Sequence, residues 1–305
     1  GYFICQMLNK RVNKRTDEWG GSYENRMRFP LEVVRRIRAA VGEQFILMFR
    51  LSMLDLVEDG SDMAEVIQLA QALEKAGVNL INTGIGWHEA RVPTIVTSVP
   101  LAAFTDVTAQ VKTAVSVPVV ASNRINMPDV GETIIASGQA DMISMARPLL
   151  ADPDWANKAR EDRADEINTC IACNQACLDH TFENKRASCL VNPRAGHETQ
   201  LLYTPVVQAK KVAVVGAGPA GLACANVAAQ RGHKVTLFEA RGNIGGQFNY
   251  AAKIPGKEEF YETIRYFHKM IEVHNIDLRL NTWVDAEQLK AEGFDEVVVA
   301  SGVEP

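Results

Sequence analysis

No run of about 18 apolar residues occurs in the chain, so the sequence offers no membrane-spanning helix. No basic stripe is present either. Lys and Arg number 32 against 37 Asp and Glu, a formal net charge of −5, which argues against nucleic acid and anionic membrane as partners. Low-complexity tracts and internal repeats are missing. An initiator Met and a basic-then-apolar leader are missing too: the chain opens Gly1-Tyr2-Phe3, as if taken from something longer, with no signal peptide. What is there is ordinary globular composition, 47% hydrophobic and 23% charged, and 305 residues leave room for two cores.

The first 150 residues alternate apolar strands with amphipathic helices. Phe45 to Phe49 reads as a buried strand. Ser61 can cap the next helix, with Val66, Leu69, Ala70 and Leu73 on one face at helical spacing and Gly77 as a stop. Leu80 to Asn82, Pro118 to Ala121 and Asp141 to Met145 read as further strands. Helices fall at Thr105 to Val115 and from Pro128 to Gly138. Repeated strand–helix order predicts a parallel sheet, open or closed into a barrel. A second strand–helix–strand run covers Val212 to Val215, a helix to about Arg231, and Lys234 to Phe238, with Val297 to Ala300 as a further buried strand. Between the two lies an irregular connection, Asn192 to Lys210.

Cysteine is sparse outside one place. Of six, Cys170, Cys173, Cys177 and Cys189 fall within a short span, whereas Cys5 and Cys224 read as small buried hydrophobes. Clustering argues for a metal centre in a reducing, cytoplasmic setting, not for scattered disulfides. Thiolates two and three residues apart can turn to one centre from a tight loop, and a remote fourth closes the cage. Both zinc and a cubane iron–sulfur cluster suit such a set. Three ligands within eight residues favour the cluster over paired zinc knuckles.

Directly after the strand at Val212 comes Gly216-Ala217-Gly218-Pro219-Ala220-Gly221, then a small-residue helix, and Glu239 ends the next strand. The glycines allow a tight turn and close approach to a pyrophosphate, and the helix N-terminus offers free N–H donors. Glu239 can accept hydrogen bonds from a ribose, and an acid there disfavours a 2′-phosphate. The site should hold FAD or NAD.

Arg50, Arg124 and Arg147 are expected at or just beyond the C-terminal ends of successive strands, one face of a barrel, where they could bind a phosphate or neutralise a reduced flavin; singly, each reads as a surface ion-pair former. His88, in Ile85-Gly86-Trp87-His88-Glu89, follows a strand and so shares that face, as a proton donor or as a structural histidine. Arg26 and Arg28 read as scaffold.

The run Asn13-Lys14-Arg15-Thr16-Asp17-Glu18-Trp19-Gly20-Gly21-Ser22-Tyr23-Glu24-Asn25-Arg26 resembles the signature loop of the old yellow enzyme family of flavin barrels. The cysteine pattern and the glycine-rich fold are similar to its multidomain branch. Trp87-His88-Glu89-Ala90-Arg91 and Cys170 to Cys177 resemble the bacterial 2,4-dienoyl-CoA reductases of that branch. The resemblance implies the C-terminal half of a (β/α)8 TIM barrel over residues 1–160, an iron–sulfur segment over 161–208, and a Rossmann-like FAD-binding domain over 209–305. It implies FMN against Arg50, Arg124, Ala146 and Arg147, and a [4Fe-4S] cluster on Cys170, Cys173, Cys177 and Cys189. FAD would lie on Gly216, Gly218, Gly221, Glu239 and Gln247; Pro219 and Gly245-Gly246-Gln247 favour FAD on the same ground. Tyr2 would be the proton donor and His88 its partner, with Arg11, His88, Glu89, Ala90 and Arg91 meeting an acyl-CoA substrate. Electrons would pass from NADPH to FAD, cluster, FMN and dienoyl thioester.

Against that pattern the barrel lacks its first half, and the chain stops at Ser301 to Pro305, where an inserted NADPH domain would begin. The segment alone is therefore expected to be inactive, with exposed sheet edges. An enoate reductase, NADH oxidase or amine dehydrogenase of the same family, and an inactive piece with structural zinc, remain open alternatives.

Overall fold

The computed structural model describes residues 2–303; Gly1, and the tail residues Glu304 and Pro305 where the NADPH domain is expected to begin, lie outside the described residues. The chain divides into two compact units, Gly1–Ala146 and Arg147–Pro305.

The first unit runs α1 (Tyr2–Leu8), α2 (Tyr23–Val41), β1 (Met48–Leu54), α3 (Met63–Lys75), β2 (Leu80–Ile85), α4 (Thr105–Lys112), β3 (Val119–Ala121), α5 (Pro128–Ala136) and β4 (Met142–Ile143). The four strands are parallel and lie in chain order. Strands added one beside the next, each after a helix, are the staves of a barrel wall; an open doubly wound sheet reverses its order. Helix α3 shows why the wall holds. Val66, Leu69, Ala70 and Leu73 are each no more than 1% exposed. They meet Phe49, Leu51 and Met53 from one face of β1, and Val34 of α2. Burying each such Leu or Val side chain stabilises by roughly 1.5–3 kcal/mol. Alternation along β1 then turns Arg50 and Ser52 to the opposite face.

Two expectations shift here. Asp62, not Ser61, caps α3, accepting from the Glu65 amide at 2.8 Å. The Ser61 amide is already committed to the Asp55 carboxylate at 2.9 Å. The strand expected at Phe45 begins instead at Met48, where pairing with Leu80 starts. Phe45 and Ile46 are 56% and 71% exposed, because apolar residues without a ladder partner do not make a strand.

The second unit runs α6 (Arg147–Ala151), α7 (Trp155–Arg160), α8 (His180–Phe182), β5 (Lys211–Val215), α9 (Pro219–Gln230), β6 (Lys234–Phe238), α10 (Phe248–Ala251), α11 (Tyr261–Val273), β7 (Asp277–Arg279), α12 (Ala286–Ala291) and β8 (Glu296–Val299). Its parallel sheet has the order β7-β6-β5-β8. The order reverses at β5, and in open α/β sheets ligands bind outside the strand ends at such a switch point. The strand expected to be buried at Val297 is an edge. Val297 and Val299 are 45% and 73% exposed, since among the described residues β8 pairs only with β5.

Candidate active site and cofactor pockets

Arg50 projects from the helix-free face of β1. Its Nη1 donates to Asn82 Oδ1 at 2.7 Å, and Asn82 Nδ2 donates to Ser144 Oγ at 2.8 Å. A polar row thus crosses β1, β2 and the end of β4. Arg50 is the third of seven residues in β1, so it is not at the strand's end as the sequence reading expects. Arg124 does lie beyond its strand. Asn123 and Arg124 are consecutive left-handed residues, φ 70° and 57°, a conformation that costs of order 1 kcal/mol each and collects at functional sites. It is held by Ser122 Oγ donating to Thr83 O at 2.6 Å and Arg124 Nε donating to Val99 O at 2.6 Å. Ala146, after β4, is exposed and closes the first unit; Arg147 opens the second.

After β2, Gly86 (φ 78°) turns the chain. Trp87 buries to 3% exposure and its amide donates to Asp55 O at 2.8 Å. That anchor presents His88. The Tyr2 ring meets the His88 ring edge-on, centroids 4.6 Å apart, and Trp87 backs the imidazole at 4.3 Å. Glu89 lies 3.8 Å from His88 Nε2 and 3.8 Å from Arg11 Nε. Five of the expected residues, Tyr2, Arg11, His88, Glu89 and the adjoining Ala90, therefore gather at one strand end. Arg91 is exposed beside them in sequence. A phenol open to solvent beside an imidazole can deliver a proton and recover it.

In the second unit, Cys170, Cys173, Cys177 and Cys189 line one pocket, together with Arg147, Asn174 and an apolar wall of Leu150, Ile171 and Val191. Asn174, left-handed at φ 63° and 7% exposed, starts the π-helical turn Gln175–Asp179 that swings Cys177 inward. Burial pushes the Cys170 and Cys173 thiols up and Cys189 to about 11; the Arg147 charge opposes this at Cys170 and Cys173. Among the described residues no group of three or more His, Cys, Asp or Glu side chains is arranged to hold a metal ion. The four thiols share this pocket as the candidate ligand set. Cys5 and Cys224, expected to be buried, are half-buried.

The glycine-rich turn follows β5 at the switch point. Gly216 has φ 104°, and a Cβ on Gly221 would sit 1.8 Å from Gly216 O, so both glycines are required by the turn itself. A Cβ on Gly218 would meet nothing within 4 Å. Gly218 is the residue that leaves space open, at the uncapped N-terminus of α9. Glu239 accepts from the Ala217 amide at 2.9 Å and the Arg241 amide at 2.9 Å, which places its carboxylate beside the turn. Gly246 packs against Gly218, leaving Gln247 exposed next to the opening. The cradle suits a dinucleotide pyrophosphate.

The first unit supplies barrel staves with Arg50 on one face, and the second a Rossmann-like fold. The chain belongs to the NADH:flavin oxidoreductase / NADH oxidase family, whose model matches residues 1–166, and residues 214–276 match an NAD(P)-binding Rossmann-like domain. It is 44% identical to a metal reductase of Desulforamulus reducens and 41% identical to an NADH oxidase of Thermoanaerobacter brockii. Each alignment takes in 100% of this chain, and 46% and 47% of those proteins. A 2-naphthoyl-CoA reductase in complex with 2-naphthoyl-CoA superposes with a TM-score of 0.97 at 40% identity, over 99% of this chain and 46% of that one. The chain thus spans about half the length of the curated relatives it matches. These relatives carry several reductase and oxidase names, and the family they share extends to this chain. Among the described residues no helix is long and apolar enough to cross a membrane.

Asp55, Asn82, Ser144 and Asn174 went unread in the sequence. Each is a lone polar residue at or near a strand or loop end, and only the tertiary fold gives it a partner.

Proposed function

We propose that the full-length protein reduces a carbon–carbon double bond conjugated to an acyl-CoA thioester, with NADPH as donor. The observation carrying this reading is the Tyr2–His88 pair, held beside Arg11 and Glu89 on barrel staves. The likeness to a 2-naphthoyl-CoA reductase supports the thioester class.

FMN would be held by Arg50, Arg124, Ala146 and Arg147, FAD by Gly216, Gly218, Gly221, Glu239 and Gln247, and a [4Fe-4S] cluster by the four cysteines. When bound, FMN supplies a hydride donor and the cluster single-electron transfer from FAD. The chain's own residues supply the rest. Arg11 and the His88 to Arg91 segment position the thioester. The Tyr2 hydroxyl delivers a proton to the carbon next to the carbonyl, balancing the hydride added at the far carbon. His88 orients that hydroxyl and shares its proton, and Tyr2, 69% exposed, is reprotonated from water. A donor aimed where negative charge develops is the usual electrostatic strategy.

The test is NADPH oxidation by the full-length protein with a 2,4-dienoyl-CoA, 2-naphthoyl-CoA, a free enoate or oxygen alone. Thioester-dependent turnover is expected, and Tyr2→Phe should lose roughly 10²-fold or more. Oxidation by oxygen at a rate indifferent to the thioester would instead support a second reading, an NADH oxidase, which the 41% identity to a protein of that name favours.

A further inference from the structure

Arg147 is expected, by resemblance, to serve a flavin. Its surroundings in the second unit give it a different neighbour. It lines the same pocket as all four clustered cysteines. Its Nη1 donates to Asn174 Oδ1 at 2.5 Å, and Asn174 sits between Cys173 and the turn that carries Cys177. That partner is a neutral amide, so it aims the guanidinium without cancelling the charge. The wall around it is Leu150, Ile171, Ala176, Leu190 and Val191. Against that lining, partly open to solvent with Leu190 46% exposed, a full positive charge is screened less than in bulk water.

Resting on the cluster part of the reading above, we propose that Arg147 sets the reduction potential of the four-cysteine centre. Each added electron makes a thiolate-ligated cluster more negative. A fixed cation against the cage stabilises the reduced form and raises the potential, since net charge and polar contacts near the sulfurs are the levers a protein has on it. Arg147 acts through the field it places at the cage, not as a ligand.

The experiment is an anaerobic redox titration of the full-length protein, following cluster absorbance and the reduced-cluster electron paramagnetic signal, with iron, sulfide and FMN measured alongside. Arg147→Gln should lower the midpoint potential at unchanged iron and sulfide, and Arg147→Lys should keep it near that of the parent. Arg147→His guards against a Gln variant that fails to assemble. Its potential should fall as pH rises through the imidazole range near 6.5, beyond whatever slope the parent shows. An Arg147→His potential that tracks the parent at every pH would overturn the proposal. So would a Gln variant that loses FMN while its cluster potential stays put, which would confine Arg147 to the flavin. Zinc without iron in the parent would sink the cluster reading itself, and the proposal with it.

Discussion

Arg26 carries a charge that the first unit cannot spare. It is 1% exposed, donates to Leu8 O and pairs with Glu65 at 2.8 Å. Removing one member of a buried pair leaves the other uncompensated, a loss of about 3 kcal/mol or more. Arg26→Ala and Glu65→Gln should therefore each lower the first unit's unfolding free energy in a denaturant titration, Glu65→Gln because it strands the buried guanidinium. Asp141 makes the acid limb. It accepts from the Val119 amide at 2.9 Å and from Lys112 at 2.9 Å, which holds its carboxyl below the usual 3.8. A lowered folded value means stability that is present above 3.8 and lost as pH falls through the folded value. Asp141→Asn should flatten that part of a stability–pH curve. At 37% side-chain exposure, water and salt keep the effect small.

At the scale of elements, the turn between β5 and α9 separates two kinds of glycine. Gly221→Ala drives a methyl into Gly216 O and should cost stability and dinucleotide together. Gly218→Ala meets open space, so the fold should survive while FAD retention falls. Thermal denaturation paired with flavin release after purification distinguishes them; equal melting losses in both would refute the distinction. This turn was legible in the sequence because local chemistry specifies it. So were α3, whose buried stripe is a helical period, and β6, whose bounds match the run Lys234 to Phe238. Less legible were the features set by partners. The start of β1 depends on where Leu80 lies, and the exposure of β8 on there being no strand beyond it among the described residues. Helix α2 was hidden in a polar stretch, because its buried residues Tyr23, Arg26 and Met27 include a charge that Glu65, Leu8 O and Gly21 O make tolerable. The four thiols could be grouped from spacing, yet their pocket-mate Arg147 could not, being 23 positions before the first of them.

At the scale of the whole molecule, each unit has its own core: one around Leu51, Leu69 and Ile81, the other around Val214, Leu222 and Leu237. Separate cores predict unfolding that departs from two-state behaviour, with calorimetric enthalpy exceeding the van't Hoff value. If the second unit binds FAD as proposed, FAD at about 100 times its dissociation constant should raise that unit's stability by about 2.7 kcal/mol and leave the first where it was. A single transition that moves as one on adding FAD would contradict this.

Within the second unit, Ile171, Cys173 and Val191 share an apolar cluster with Phe248, Ala252 and Phe260, and the two phenylalanine rings stack at 5.2 Å. Phe248 directly follows Gln247, so the floor of one cofactor's berth is the roof of the other's. With the proposed cluster and FAD in place, air that corrodes the iron would therefore not stop at bleaching it. The yellow dinucleotide should begin to leak from the protein in step with the loss of sulfide, though no atom of its own cradle has been touched.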